Sequence, residues 1–153
     1  MSERYIIERK LGEGASASVL LATDTRTNQL VAIKTAHDVM ARHARFAGRW
    51  QREVIVLQTL QHPRIVPLLD ATFTQGKKLT MVMPFAALGS LEDKLLKGCT
   101  LKNALKWMFE TLEGLAYIHS FDIIHQDVKP DNVLISEEGS AWLADFSVAR
   151  TRA

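Results

Sequence analysis

The sequence predicts an α+β fold: a small antiparallel sheet carrying one long helix, then a mainly helical region that closes with a short hairpin. Three observations predict it. Between Tyr5 and Met83, short apolar runs alternate with small or polar turns, the pattern of strands. Two longer segments, roughly Val39 to Leu60 and Thr100 to His119, carry apolar residues at helical spacing. Finally, Ile123-Ile124 and Val133-Leu134-Ile135 enclose a polar loop, so a scaffold holds chemical groups between two apolar runs.

Tyr5-Ile6-Ile7 begins the first strand, and the small-residue run Leu11-Gly12-Glu13-Gly14-Ala15-Ser16-Ala17-Ser18-Val19 follows before Leu20-Leu21-Ala22 resumes extended structure. Such a turn serves either a hairpin that needs positive φ or a backbone that comes close to phosphate oxygens. A strand rather than a helix after it removes the dinucleotide and Walker-type alternatives. Asp24 to Gln29 is a polar turn, and Leu30-Val31-Ala32-Ile33-Lys34 is a strand whose apolar run ends on lysine. In the long segment that follows, Phe46, Trp50, Val54 and Leu57 form a helical stripe with Glu53 beside it. Glu53 is either solvated or meets a cation arriving from the sheet, for which Lys34 is the candidate.

His62-Pro63 stops that helix, Ile65 to Leu69 is expected to be extended, and Gln75-Gly76-Lys77-Lys78 turns into a strand over Leu79 to Met83. Periodicity lapses from Pro84 to Gly89, where a lobe boundary is expected. Ser90 caps a short helix with Glu92 and Asp93 in its first turn. Thr100 caps the second long helix, whose apolar stripe is Leu101, Leu105, Met108, Leu112, Leu115 and Ile118. Glu137-Glu138-Gly139 is a hairpin turn, Ala141 to Ala144 a strand, and Asp145 stands at its end.

With 153 residues, 47% apolar and 24% charged, the chain has the length and composition of one globular domain. A net charge of +2 with scattered basic residues gives no nucleic-acid footprint. Cys99 is the only cysteine, which excludes an internal disulfide and a cysteine-rich zinc site. The first ten residues lack the apolar block of a signal peptide and no later run approaches a membrane span, so a cytoplasmic protein without a membrane partner is expected.

Within the polar loop, Asp127 lies five positions before Asn132, with Lys129 between them. A carboxylate and an amide at that spacing suit proton transfer and metal binding, and the lysine suits an anionic group. Lys-Pro-Asp-Asn is equally good turn chemistry, and the loop alone does not choose between the two readings.

Four motifs in one order resemble the protein kinase family. Leu11-Gly12-Glu13-Gly14 through Val19 resembles its Gly-rich loop, Val31-Ala32-Ile33-Lys34 its third-strand lysine motif, His125-Gln126-Asp127 through Asn132 its catalytic loop, and Asp145-Phe146-Ser147 its metal-binding triplet. The intervals from Lys34 to Glu53, Asp127 to Asn132 and Asn132 to Asp145 also suit the family. The resemblance implies a kinase-like fold with a complete N-lobe at residues 1–84, a hinge at 85–89 and a partial C-lobe at 90–153. It implies ATP and Mg2+ as cofactors. It also implies transfer of the γ-phosphoryl group to a protein serine or threonine, because Lys129 two positions after Asp127 resembles the serine/threonine class. Lys34, held by Glu53, would bind phosphates; Asp127 would accept the hydroxyl proton; Lys129 would stabilise the group in transit; Asn132 and Asp145 would hold Mg2+. Gly12, Glu13, Gly14, Ala15, Ser16 and Ala17 would cover the nucleotide phosphates. Leu11, Val19, Ala32, Met83 and Leu134 would wall the adenine, and backbone groups of Pro84 and Ala86 would read it. Leu57, Leu68, His125 and Phe146 resemble the family's stacked apolar column, which makes His125 a packing residue.

Three residues depart from the family pattern. Ala17 stands where the third glycine is usual and trades loop freedom for a methyl group. Gln126 replaces the arginine that in many kinases pairs with a phosphorylated activation loop, an ion pair a neutral amide does not form. Ser147 replaces a glycine and restricts the backbone hinge of the triplet. Through Ala153 the sequence corresponds to the first half to two thirds of such a domain, so the stripe of 101–118 is expected to lie partly uncovered, with self-association or a partner covering it. Two alternatives accompany the kinase reading: a catalytically weak or inactive nucleotide-binding module, pseudokinase-like, and a small-molecule kinase of the same fold.

Overall fold

The computed structural model describes residues 4–72 and 78–152; of the turn expected at 75–78, residues 75–77 lie outside the described residues. The first apolar runs form β1 (Tyr5–Glu13), β2 (Ala17–Asp24) and β3 (Gln29–Ala36), followed by α1 (Asp38–Ala41), α2 (Ala44–Thr59), β4 (Asp70–Thr72) and β5 (Thr80–Pro84). These strands make one antiparallel sheet in the order β1-β2-β3-β5-β4. Alternation explains the sheet: Val31, Ile33 and Thr35 of β3 are buried, whereas Ala32 and Lys34 between them are half-buried on the other face. Val31 and Ile33 join Tyr5, Ala22 and Val82 in a core cluster. Arg4 braces the margin, pairing with Asp24 at 2.8 Å and Asp70 at 3.3 Å. The Tyr5 hydroxyl donates to Asp70 at 3.2 Å, and burial pushes its phenol up to about 12.

Two expectations need correction. The single helix expected over Val39 to Leu60 is two helices, because the His43 amide bonds the Met40 carbonyl three residues back instead of continuing an i−4 ladder. Trp50, Val54 and Leu57 of α2 are buried as the stripe requires, and Phe46 is half-buried. The segment Ile65 to Leu69 holds only an isolated bridge at Ile65, and the regular strand begins at Asp70. Pro67 brings no amide to a ladder.

Contacts gather the chain into two units: one runs through Ile55 and resumes over Pro67–Phe85, the other joins Val56–Val66 to the chain from Ala86. The second unit contains α3 (Leu91–Lys97), α4 (Leu101–His119), β6 (Ile123–Ile124), a 3₁₀ turn at Pro130–Asn132, β7 (Val133–Ile135), β8 (Ala141–Leu143) and β9 (Arg150–Thr151). A full capping box opens α3: Ser90 Oγ accepts the Asp93 amide at 3.1 Å, and Asp93 accepts the Ser90 amide at 2.9 Å. Gly89 before it needs to be glycine, since its φ is 79° and a Cβ would stand 2.7 Å from the Asp93 carboxylate.

The buried face of α4 is Trp107, Glu110, Gly114 and Ile118. Glu110 is buried because Arg64 and Lys106 lie 3.3 and 3.6 Å from Oε1 while the Ala141 amide donates to Oε2 at 2.7 Å. Gly114 admits the chain at Arg64, whose carbonyl would stand 3.0 Å from an added Cβ. The Trp107 indole N–H donates to the Gly139 carbonyl at 3.0 Å, tying the helix to the turn between β7 and β8. On the other side of α4, Leu101, Leu105, Met108 and Leu112 are exposed, Leu101 by 75%, so the apolar stripe is partly uncovered as expected. No helix among the described residues is long and apolar enough to cross a membrane.

Candidate active site

In the first unit, strand register gathers half of the candidate residues. Val19 pairs with Lys34 and Ala32 with Met83, so these four share one face of the sheet, all half-buried. Gly12 pairs with Val19 beside Leu11, and Pro84 pairs with Val31 at the end of β5. Because β1 runs on through Glu13, the Gly-rich turn narrows to Gly14, Ala15 and Ser16, closed by a 2.9 Å bond from the Gly14 amide to the Ala17 carbonyl. Ala17 belongs to β2 and pairs with Ala36, a strand position where a methyl group packs and no positive φ is required.

The same turn has an anchor that sequence reasoning missed. The His37 amide donates to the Ser16 carbonyl at 2.9 Å, and its ring Nε2 lies 3.0 Å from the Gly14 carbonyl and 3.1 Å from the Glu13 carboxylate. Lys10 also pairs with Glu13 and holds that carboxyl below its ordinary range. No local pattern marks His37, because its partners lie more than twenty positions away in the chain.

Lys34 meets Glu53. The Nζ lies 3.4 and 3.5 Å from the two carboxylate oxygens, with the Glu53 side chain 5% exposed and that of Lys34 23%. Trp50, one turn before Glu53 on α2, sets its ring 5.5 Å from the same Nζ, a cation–π contact. The Trp50 indole N–H is buried without a partner among the described residues, so the ring serves by its face rather than its polar edge.

In the second unit, the hairpin of β7 and β8 places the remaining groups. Val133 pairs with Leu143, and the Ala144 amide donates to the Asn132 carbonyl at 2.9 Å, which brings Asn132 and the residue before Asp145 to one end of the hairpin. Asn132 is buried and donates its side-chain N–H groups to the Asp127 carbonyl and to Asp127 Oδ2, both at 2.9 Å. Lys129 Nζ lies 3.2 Å from the same Oδ2, and this bond holds the ammonium above its ordinary value. Leu134 is half-buried on the face opposite Val133 and Ile135, and the Ala86 carbonyl closes a turn with the Gly89 amide at 3.0 Å.

His125 is fully buried beneath this loop. Its Nε2 donates to the Ala144 carbonyl at 2.8 Å and its Nδ1 accepts the Asp127 amide at 3.3 Å, which selects the neutral Nε2–H tautomer. Burial lowers its pKa below the ordinary 6.5, and Phe146 packs edge-on at 4.8 Å between ring centroids. Gln126 and Asp145 both have positive φ, 68° and 59°, conformations that cost a non-glycine residue about 1–2 kcal/mol. The Ser147 hydroxyl donates to Asp145 Oδ1 at 2.6 Å, a bond that the Asp-x-Ser spacing could have suggested.

Among the described residues no cluster of three or more His, Cys, Asp or Glu side chains forms a metal cage. The groups present nevertheless fit Mg2+. Asn132 spends its amide hydrogens on Asp127, which leaves its oxygen as the group able to ligate a cation, and Asp145 adds a carboxylate; Mg2+ takes one or two such protein oxygens and keeps waters and phosphate oxygens for the rest. A family model described as the protein kinase domain matches residues 5–152.

Proposed function

This chain belongs to the protein kinase family, and from that premise we propose that it uses Mg2+ and ATP to phosphorylate serine or threonine hydroxyls of a protein substrate. The observation that carries the reading is the cluster at the catalytic loop, where Asp127 Oδ2 accepts from Asn132 at 2.9 Å and lies 3.2 Å from Lys129. That arrangement fixes a carboxylate while leaving its side chain 39% exposed, as a group that must reach a substrate requires. Asp127 orients the hydroxyl and accepts its proton, and Lys129 stabilises charge on the group in transit. Its place two residues after Asp127 supports the serine/threonine assignment. Lys34, held by Glu53, engages the α- and β-phosphates, and the Gly-rich segment from Gly12 to Ala17 covers them. Leu11, Val19, Ala32, Met83 and Leu134 contact the adenine, with the Pro84 carbonyl and the Ala86 backbone reading its edge. Asn132 and Asp145 hold Mg2+, which when bound neutralises phosphate charge.

The test is incorporation of labelled phosphate into a serine- or threonine-containing protein acceptor. Asp127→Asn is expected to lower transfer by about 10²–10⁴-fold. Equal transfer by wild type and variant would sink the assignment. A thermal shift on adding ATP and Mg2+ without any turnover would favour the binding-module alternative, for which Gln126 is the supporting residue.

A further inference from the structure

We propose that Ser147 is a positioning residue for Asp145, an inference that rests on Asp145 being a cation ligand. The Ser147 hydroxyl donates to Asp145 Oδ1 at 2.6 Å, and the Ser147 amide lies 3.3 Å from the same oxygen. An O–H bond of that length to an ionised oxygen belongs to the strong, charge-assisted class. Two donors from one residue fix the rotation of the carboxylate, and they do so where Asp145 holds a φ of 59°. An aspartate in that region is stabilised by bonds from its own side chain to the backbone two residues on. A glycine at 147, usual in the motif, supplies only the amide. The serine therefore adds a donor whose effect falls on the carboxylate that would hold the cation, and Ser147 itself is half-buried. Hydrogen-bond partners of metal-ligating groups set ligand orientation, and removing one commonly lowers metal affinity by about 10–100-fold.

The experiment is a titration of the full chain with Mn2+ in saturating ADP, with free Mn2+ followed by electron paramagnetic resonance. Ser147→Ala is expected to weaken Mn2+ binding by about tenfold, the lower end of that range. Ser147→Thr, which keeps the hydroxyl, should retain wild-type affinity, and ADP binding without metal should stay unchanged in both. Ser147→Gly provides a second variant in case alanine lowers the melting temperature, with the same weakening expected. Wild-type Mn2+ affinity in folded Ser147→Ala or Ser147→Gly overturns the positioning role and leaves the kinase reading standing. The role is equally overturned if Ser147→Thr binds as weakly as Ser147→Ala. A wild-type chain that takes up no Mn2+ with ADP overturns both.

Discussion

Lys34 and Glu53 stand 3.4 Å apart, and Lys129 and Asp127 stand 3.2 Å apart, yet the Glu53 side chain is 5% exposed and that of Asp127 is 39%. Similar distances conceal different physics. In the first pair a carboxylate has left water and leans on Lys34, with the Trp50 ring 5.5 Å from the same ammonium. Such a pair contributes little net stability, but breaking it takes the opposite charge of Lys34 away from a buried carboxylate, which is costly. In the second pair both groups remain largely solvated, and a surface ion pair of that kind is worth little to the fold. What holds Asp127 is instead the buried amide of Asn132, donated at 2.9 Å. The first pair is built into a core and the second is presented from one.

The contrast predicts an ordered series of effects. Lys34→Ala should do most damage, lowering unfolding free energy by about 3 kcal/mol and abolishing transfer, whereas Glu53→Gln, which removes the buried charge, should destabilise less. Urea unfolding checks both, and a Lys34→Ala midpoint equal to wild type would erase the distinction. Asn132→Ala comes next, at about 1–3 kcal/mol, because it removes donors from Asp127 and empties a buried site. Smaller again is a pH effect from His125. Its folded pKa lies below the unfolded 6.5, so the folded form favours the neutral ring. The resulting stability is fully present above pH 6.5 and is lost as pH falls through the folded value. Thermal melts across that range should show the decline in wild type and not in His125→Asn, compared as slopes. Lys129→Ala should leave the melting temperature where it is while transfer falls. A drop in stability like that of Lys34→Ala would show that the exposed pair holds the fold after all.

Much of this arrangement was legible in the chain. Strand alternation located Val31 and Ile33, the Ser90 cap and its Asp93 partner marked the start of α3, and the spacing of Asp127, Lys129 and Asn132 announced a polar cluster. The break between α1 and α2 was not read from the sequence, since no Gly or Pro marks it; it lies before the stripe that begins at Phe46, where the His43 amide bonds the Met40 carbonyl. Nor was the burial of Glu110. Apolar spacing on α4 points to Leu101, Leu105, Met108, Leu112, Leu115 and Ile118; of these Ile118 is buried, and the rest of the inward face is Trp107, Gly114 and a carboxylate. That carboxylate is buried because Arg64 and the Ala141 amide, 46 and 31 positions away, reach it.

By itself the sequence determined which chemistry is present and in what order: the lysine, the acids, the amide, and the periods that make strands and helices. These depend on neighbours within a few residues, whose side-chain directions are set by the local backbone. Only the tertiary structure decided which groups meet. It set Glu110 against Arg64, His37 against the Gly14 carbonyl, and His125 under the Asp127 amide. It also separated a buried ion pair from an exposed one. Those outcomes follow from burial and from partners distant in sequence, and the free energy of a charge depends on both.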